Sequence, residues 1–128
     1  MRLRIAENAV RLRLEPDDLA ALGEGRTVAV GFAAPDCAGG MGEFRCELAL
    51  AASSGPDVVL GAGSLRVALG SDELESLRDE ACEGVTLTME SDEGRPLEVV
   101  VEKDRRAFPV RSGAPRVRER GPGPAAEG

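Results

Sequence analysis

The sequence predicts a β-rich α+β domain in which a β-β-α-β-β unit occurs twice and forms a closed or partly open β-barrel with two short helices and a disordered C-terminal tail. Three observations predict it. The run Val10-Arg-Leu-Arg-Leu14 followed by Pro16-Asp-Asp-Leu19-Ala-Ala-Leu22 returns 55 residues later as Leu65-Arg-Val-Ala-Leu69 followed by Ser71-Asp-Glu-Leu74-Glu-Ser-Leu77. A fixed-period echo marks a duplicated supersecondary unit, and a unit this small buries its apolar face only by packing on its copy. Apolar residues alternate with polar ones through most of the chain, the period of strands with one buried face. From Arg105 onward, Pro109, Pro115, Pro122 and Pro124 are interspersed with Arg and Gly, leaving too little apolar material to offset ordering entropy. The expected organisation is one domain over residues 1–104, built of repeats at about 1–52 and 57–104, and a tail over 105–128.

Met1, Leu3 and Ile5, then Val10, Leu12 and Leu14, alternate with arginines, so a first hairpin turns through Ala6-Glu7-Asn8, where asparagine tolerates a left-handed backbone. Pro16 suits a first helical position, and Asp17 and Asp18 complement the positive end of the helix dipole. Leu19 and Leu22 supply the buried side, and Gly23 and Gly25 end the helix. Thr27 to Phe32 reads as a strand with Val28, Val30 and Phe32 on one face. Ala33 to Gly42 reads as a loop by its Pro and Gly content, and Phe44, Cys46, Leu48 and Leu50 mark the next strand. After a turn at Ser53 to Asp57, Val58 to Leu60 and Leu65 to Leu69 form a second hairpin around Gly61-Ala-Gly-Ser64. Ser71 is placed to cap a second helix whose Leu74, Leu77 and Ala81 face inward and which Gly84 stops. Val85, Leu87 and Met89, the turn Ser91 to Gly94, and Leu97 to Lys103 with Val99 and Val101 inward complete the second unit.

The 128 residues fit one domain, and with no Trp, no Tyr and only Phe32, Phe44 and Phe108, the core must be aliphatic. Single-stranded nucleic acid is gripped by stacking bases on exposed aromatics, which are scarce here. The net charge of −7 is uneven: residues 1–103 carry 10 Lys and Arg against 20 Asp and Glu, and residues 104–128 carry 6 against 3. So acidic a body repels phosphate backbones, which disfavours nucleic acid as a partner. No long apolar run is present, the N-terminus alternates instead of offering a signal sequence, and three cysteines fit reduced thiols, so the expected location is cytoplasmic, with no membrane partner.

The opening Met1-Arg-Leu-Arg-Ile-Ala-Glu-Asn-Ala-Val-Arg-Leu-Arg-Leu14, Asp17-Asp-Leu-Ala-Ala-Leu22 and Val101-Glu-Lys-Asp104 together resemble a family of small uncharacterised bacterial proteins. The resemblance spans residues 1–104 and implies one acidic domain with no established activity. In the family pattern an apolar residue and a cysteine follow Glu-Lys-Asp, whereas here Arg105 and Arg106 do. Ile5 to Leu22 is also similar to the strand, turn, strand and helix of swapped-hairpin transcription factors, dimers that present basic residues to DNA. By that similarity Leu60 to Leu77 would play the partner's role within one chain.

The best local constellation is Arg2, Arg4, Arg11 and Arg13. In a hairpin with one buried face all four guanidinium groups emerge on the same outer face, suited to a phosphate, an acidic peptide or a partner's carboxylates. The plainer reading is a solvated face paired with Glu47, Glu98 or Glu102 across the sheet. Cys37, in the Gly-rich loop, is the one thiol placed to be exposed and reactive. It has no histidine in the chain to serve as its base, and the nearby carboxylates are Asp36 and Glu43. Zinc needs paired Cys or His spacing, which is missing, and Ala38 to Gly42 lacks the Gly-Lys-Ser/Thr ending of a phosphate loop. Asp17, Asp18, Asp72, Glu73 and Glu75 are accounted for by helix first turns, and Ser91 to Gly94 is too short for a calcium loop.

No catalytic residue, metal site or cofactor is therefore expected. The leading expectation is a non-enzymatic binding or oligomerisation module acting on an unknown protein partner or on itself. A small DNA-binding regulator of swapped-hairpin type is the alternative, and a small-ligand carrier or enzyme with a pocket in the barrel is the second alternative.

Overall fold

The computed structural model describes residues 1–51, 55–90 and 94–108. Among these residues, eight strands and two helices follow the order β1 (Arg2–Ala6), β2 (Ala9–Leu14), α1 (Pro16–Gly23), β3 (Val28–Pro35), β4 (Met41–Leu50), β5 (Asp57–Gly61), β6 (Ser64–Leu69), α2 (Ser71–Arg78), β7 (Gly84–Met89) and β8 (Leu97–Lys103). The first three elements of each half sit 55 residues apart, as the repeat requires. The left-handed residue of each first hairpin keeps that offset: Asn8 has φ 55° and Gly63 has φ 73°. So does the start of each helix, where the third helical residue accepts the N–H of the capping residue: Glu15 N–H donates to Asp18 Oδ2 (2.9 Å) and Gly70 N–H to Glu73 Oε1 (2.9 Å). Gly70, not Ser71, is thus the second N-cap.

The strands form two four-stranded mixed sheets, β1-β2-β8-β7 and β3-β4-β6-β5. Each sheet joins the first hairpin of one half to the second hairpin of the other. The junctions are the parallel pairs β2 with β8, where Leu12 meets Val101, and β4 with β6, where Leu48 meets Val67. Those four side chains are at most 1% exposed and belong to one core shared by both sheets and by Leu22 and Leu77 of the helices. Complete burial of one such aliphatic side chain contributes roughly 1.5–3 kcal/mol, so the exchange of hairpins is also where stability concentrates.

The expected barrel is not found. Among the described residues no strand of one sheet pairs with a strand of the other, and each sheet ends on free edges, β1 and β7 in one, β3 and β5 in the other. Stacked inward faces, with α1 and α2 packed on each other and on neighbouring strands, bury the aliphatic residues without closure. The pocket of the carrier or enzyme alternative loses the closed barrel it was to occupy.

Three local expectations also change. Half of the segment 33–42 is strand: β3 runs to Pro35 and β4 starts at Met41, pairing Phe32 with Phe44 and Pro35 with Met41. The ladder continues because the turn is held internally, Asp36 Oδ1 accepting the N–H groups of Ala38 (2.9 Å) and Gly40 (2.8 Å). As β6 pairs with β4 only from Arg45 onward, this ribbon runs beyond the rest of its sheet and leaves Phe32 exposed instead of inward. The second helix stops at Arg78, and Gly84 opens β7 instead of ending the helix. Near the C-terminus, residues 104–108 form a turn: Arg106 N–H donates to Asp104 Oδ1 (3.0 Å), and Lys103 Nζ lies 5.5 Å from the centre of the Phe108 ring. The remainder of the expected tail, 109–128, most of the turn at 91–94, and residues 53 and 54 of the midpoint turn lie outside the described residues.

Asn8 ties its hairpin to the start of β8, donating from Nδ2 to the carbonyls of Arg95 (2.9 Å) and Pro96 (2.6 Å). Replacing Asn8 with Ala removes these bonds and forces a methyl group into a left-handed backbone, so urea unfolding should show a loss of about 1–3 kcal/mol. Asn8→Gly keeps the backbone and loses only the bonds, and its cost should be the smaller of the two.

Candidate functional site

The first hairpin sets the site by period and register alone. Leu3, Val10 and Leu12 turn toward the core, so Arg2, Arg4, Arg11 and Arg13 turn outward, with Arg2 opposite Arg13 and Arg4 opposite Arg11. Like charges facing each other across a ladder repel, and a counter-charge must come from elsewhere. It comes from β8: Glu102, opposite Arg13, lies 3.0 Å from Arg13 Nη2 and 3.7 Å from Arg11 Nη1. Arg2 and Arg4 have no acidic partner within ion-pair distance among the described residues. The structure thus brings all four arginines together, two on one shared carboxylate and two open.

A groove of about 130 Å³ runs over this face, lined by Arg2, Leu3, Arg4, Arg11, Arg13 and Glu102. Sites for drug-sized ligands occupy about 300–1,000 Å³. A groove this small takes a carboxylate, a phosphate or the side chain of a larger partner. Guanidinium forks suit both anions through paired N–H donors.

Of the three acids weighed as neighbours, Glu102 is the one that pairs. Glu98 lies on the same face beside Ala9, and Glu47 belongs to the other sheet. There Glu47 accepts from Arg45 (3.0 Å) and Arg66 (3.3 Å), and those two hydrogen bonds hold its carboxyl below the usual carboxylate range. That outer face carries Arg45 and Arg66 against Glu43, Glu47 and Asp57, while the first sheet carries four arginines against Glu98 and Glu102. Among the described residues, only the first sheet presents a cationic surface.

Cys37 is exposed in the β3–β4 turn, on the other sheet from the arginines, beside an Asp36 whose Oδ1 is occupied by the turn's own N–H groups. Cys46 is fully buried; burial, then the charge of Glu47, pushes its thiol up to about 11. Cys82 donates to the Gly84 carbonyl (3.3 Å). Among the described residues no three His, Cys, Asp or Glu side chains converge as a metal site, and no helix is long and apolar enough to cross a membrane. Sequence reasoning missed the surface of β3, where Phe32 is 64% exposed beside Phe44 (ring centres 5.8 Å apart). Its signal was the uninterrupted uncharged run from Thr27 to Pro35.

The chain belongs to a family of unknown function (DUF7009), whose model matches residues 1–110. Comparison with the curated proteins and with the solved structures finds no match.

The thiols give a direct check. A maleimide should label Cys37 in the native protein and reach Cys46 only on unfolding, as mapped by mass spectrometry. Because folding raises the Cys46 pKa from 9.0 to about 11, the unfolded state ionises first as pH rises. The stability contributed by the neutral thiol is full below pH 9 and declines through about 11. Cys46→Val should flatten that alkaline decline in urea titrations.

Proposed function

We propose, from membership of a family without an assigned activity as the premise, that this chain is a non-enzymatic binding module. Its outer β1–β2 face receives an acidic segment of a protein partner. The observation that carries the reading is the inequality among four like-charged side chains on one groove: Arg11 and Arg13 share Glu102, while Arg2 and Arg4 have no carboxylate among the described residues. A solvated structural face would pair its charges along the ladder; this one leaves its edge-strand cations for an external anion. Arg2 and Arg4 would form the new charge-assisted bonds, and Glu102 would hold Arg11 and Arg13 in place beneath them. An acidic peptide suits the dimensions because it offers carboxylates at strand spacing while its backbone remains in solvent.

DNA is the second reading, and one feature favours it: the hairpins exchange between halves, the arrangement implied by the similarity to swapped-hairpin regulators. Against it stands the acidic body, which opposes a polyanion of long reach more strongly than a short peptide.

Binding of a fluorescent oligoglutamate peptide, followed by anisotropy, tests the proposal. Arg2→Ser with Arg4→Ser should weaken it at least tenfold, a loss of about 1.4 kcal/mol or more. Arg45→Ser with Arg66→Ser, on the other sheet, should leave it unchanged. Equal weakening by both pairs would reduce the effect to net charge and overturn the assignment. Tight binding of duplex DNA instead, falling steeply with added salt, would replace it with the second reading.

A further inference from the structure

We propose that the outer edge of β3 is a self-association site, at which a second copy of this chain adds its own β3 antiparallel and joins the two β3-β4-β6-β5 sheets into one. The two sheets leave four edges, and a free edge presents alternate N–H and C=O groups able to pair with another strand. Three of the four are blunted. On β1, Arg2 and Arg4 would place cations against a copy of themselves. β5 has only five residues, and the N–H of Val58 is already held by Asp57 Oδ1 (2.9 Å). β7 is flanked by Glu83 and Glu90, which a symmetric antiparallel pairing sets opposite each other.

β3 carries none of these devices. It is among the longer strands at eight residues, Val28-Ala-Val-Gly-Phe-Ala-Ala-Pro35, has no charged side chain, and among the described residues makes no backbone hydrogen bond except with β4. Gly31, Phe32 and Ala33 are exposed along it. Gly31 admits no substitute, since a Cβ there would overlap the Phe44 carbonyl, so the middle of the edge is bare backbone.

That bare position suggests the register. A two-fold axis at Gly31 keeps both inward faces on the same side of the joined sheet. It sets Val30 opposite Phe32 of the second copy, and Ala29 opposite its Ala33, on each side of the axis. At both ends Arg26, paired with Glu24 in the single chain, falls opposite Asp36 of the second copy, so no like charges meet where the pairing leaves the strand. Phe32, 64% exposed in the single chain, gains an aliphatic neighbour. A different protein strand would also satisfy the backbone, but self-complementarity of length, charge and side-chain size at one register favours the second copy.

Light scattering and sedimentation of the full chain test this. The wild type should form a dimer by about 100 μM, and amide hydrogen exchange in β3 should slow with protein concentration while that in β7 does not. Phe32→Lys and, separately, Ala33→Lys should each weaken the dimer at least tenfold, and Ala33→Lys, at an exposed position, should do so without shifting the urea midpoint of the monomer. Thr86→Lys on β7 should have no effect. A chain that stays monomeric at about 1 mM, or a dimer indifferent to both β3 substitutions, would overturn the proposal.

Discussion

The rest of the structure depends on the two parallel junctions, β2 with β8 and β4 with β6. Neither half of the repeat makes a sheet of its own: each contributes one hairpin to each sheet, and the seams are lined by Leu12, Val101, Leu48 and Val67. The physical cause is size. A unit of about fifty residues has too much surface for the core it encloses, and pairing within one half would leave the inward faces of both hairpins against water. Exchange makes every central strand of one half a neighbour of a central strand from the other. The cost is kinetic, since Leu12 and Val101 lie far apart in sequence and their loop must close before the seam contributes anything.

With the interior committed to symmetry, variation falls to the outside. Val10 and Leu65, Leu22 and Leu77, and Asp18 and Glu73 keep the repeat because each pair does the same structural task twice. Arg11 corresponds to Arg66, but Arg13 corresponds to Ala68, and Arg2 and Arg4 correspond to Asp57 and Val59. One sheet therefore faces solvent with a cationic surface, the other with a surface in which acids outnumber arginines. The Glu-Lys-Asp run at the end of β8 serves that difference: Glu102 anchors Arg11 and Arg13, Lys103 donates to the Asp79 carbonyl (2.9 Å), and Asp104 organises the turn that follows.

What the sequence made legible is what short-range physics decides. Alternation and turn residues located the eight described strands, Pro16 began the first helix, and Asn8 and Gly63 fell in the turns that need a left-handed residue. The outward convergence of Arg2, Arg4, Arg11 and Arg13 followed from the same alternation. Strand order was illegible because no local pattern says that Leu12 pairs with Val101 instead of closing a barrel. Glu47 was named as a neighbour of the arginines for the same reason: its alternation gives a face, but only the topology says of which sheet. The loop at 33–42 misled through composition. Gly39 takes a left-handed turn position (φ 90°) and Pro35 ends a strand, while Asp36 confines the actual turn to a few residues.

The edges join the two halves of this account. An open two-sheet stack must deal with four of them, where a closed barrel has none. The device used on β1 is charge, and charge left unpaired on an edge is also available to a ligand. Arg2 and Arg4 can therefore both discourage strand addition and leave two cations open to an anion. On β3 that protection is absent over eight residues, in a chain whose acidic body is otherwise generously charged. Because stacking already hides the aliphatic core, the uncharged edge contributes nothing to folding that a lysine at Ala33 would disturb. Its lack of charge is therefore a property of the surface, and it fits a strand that another strand covers.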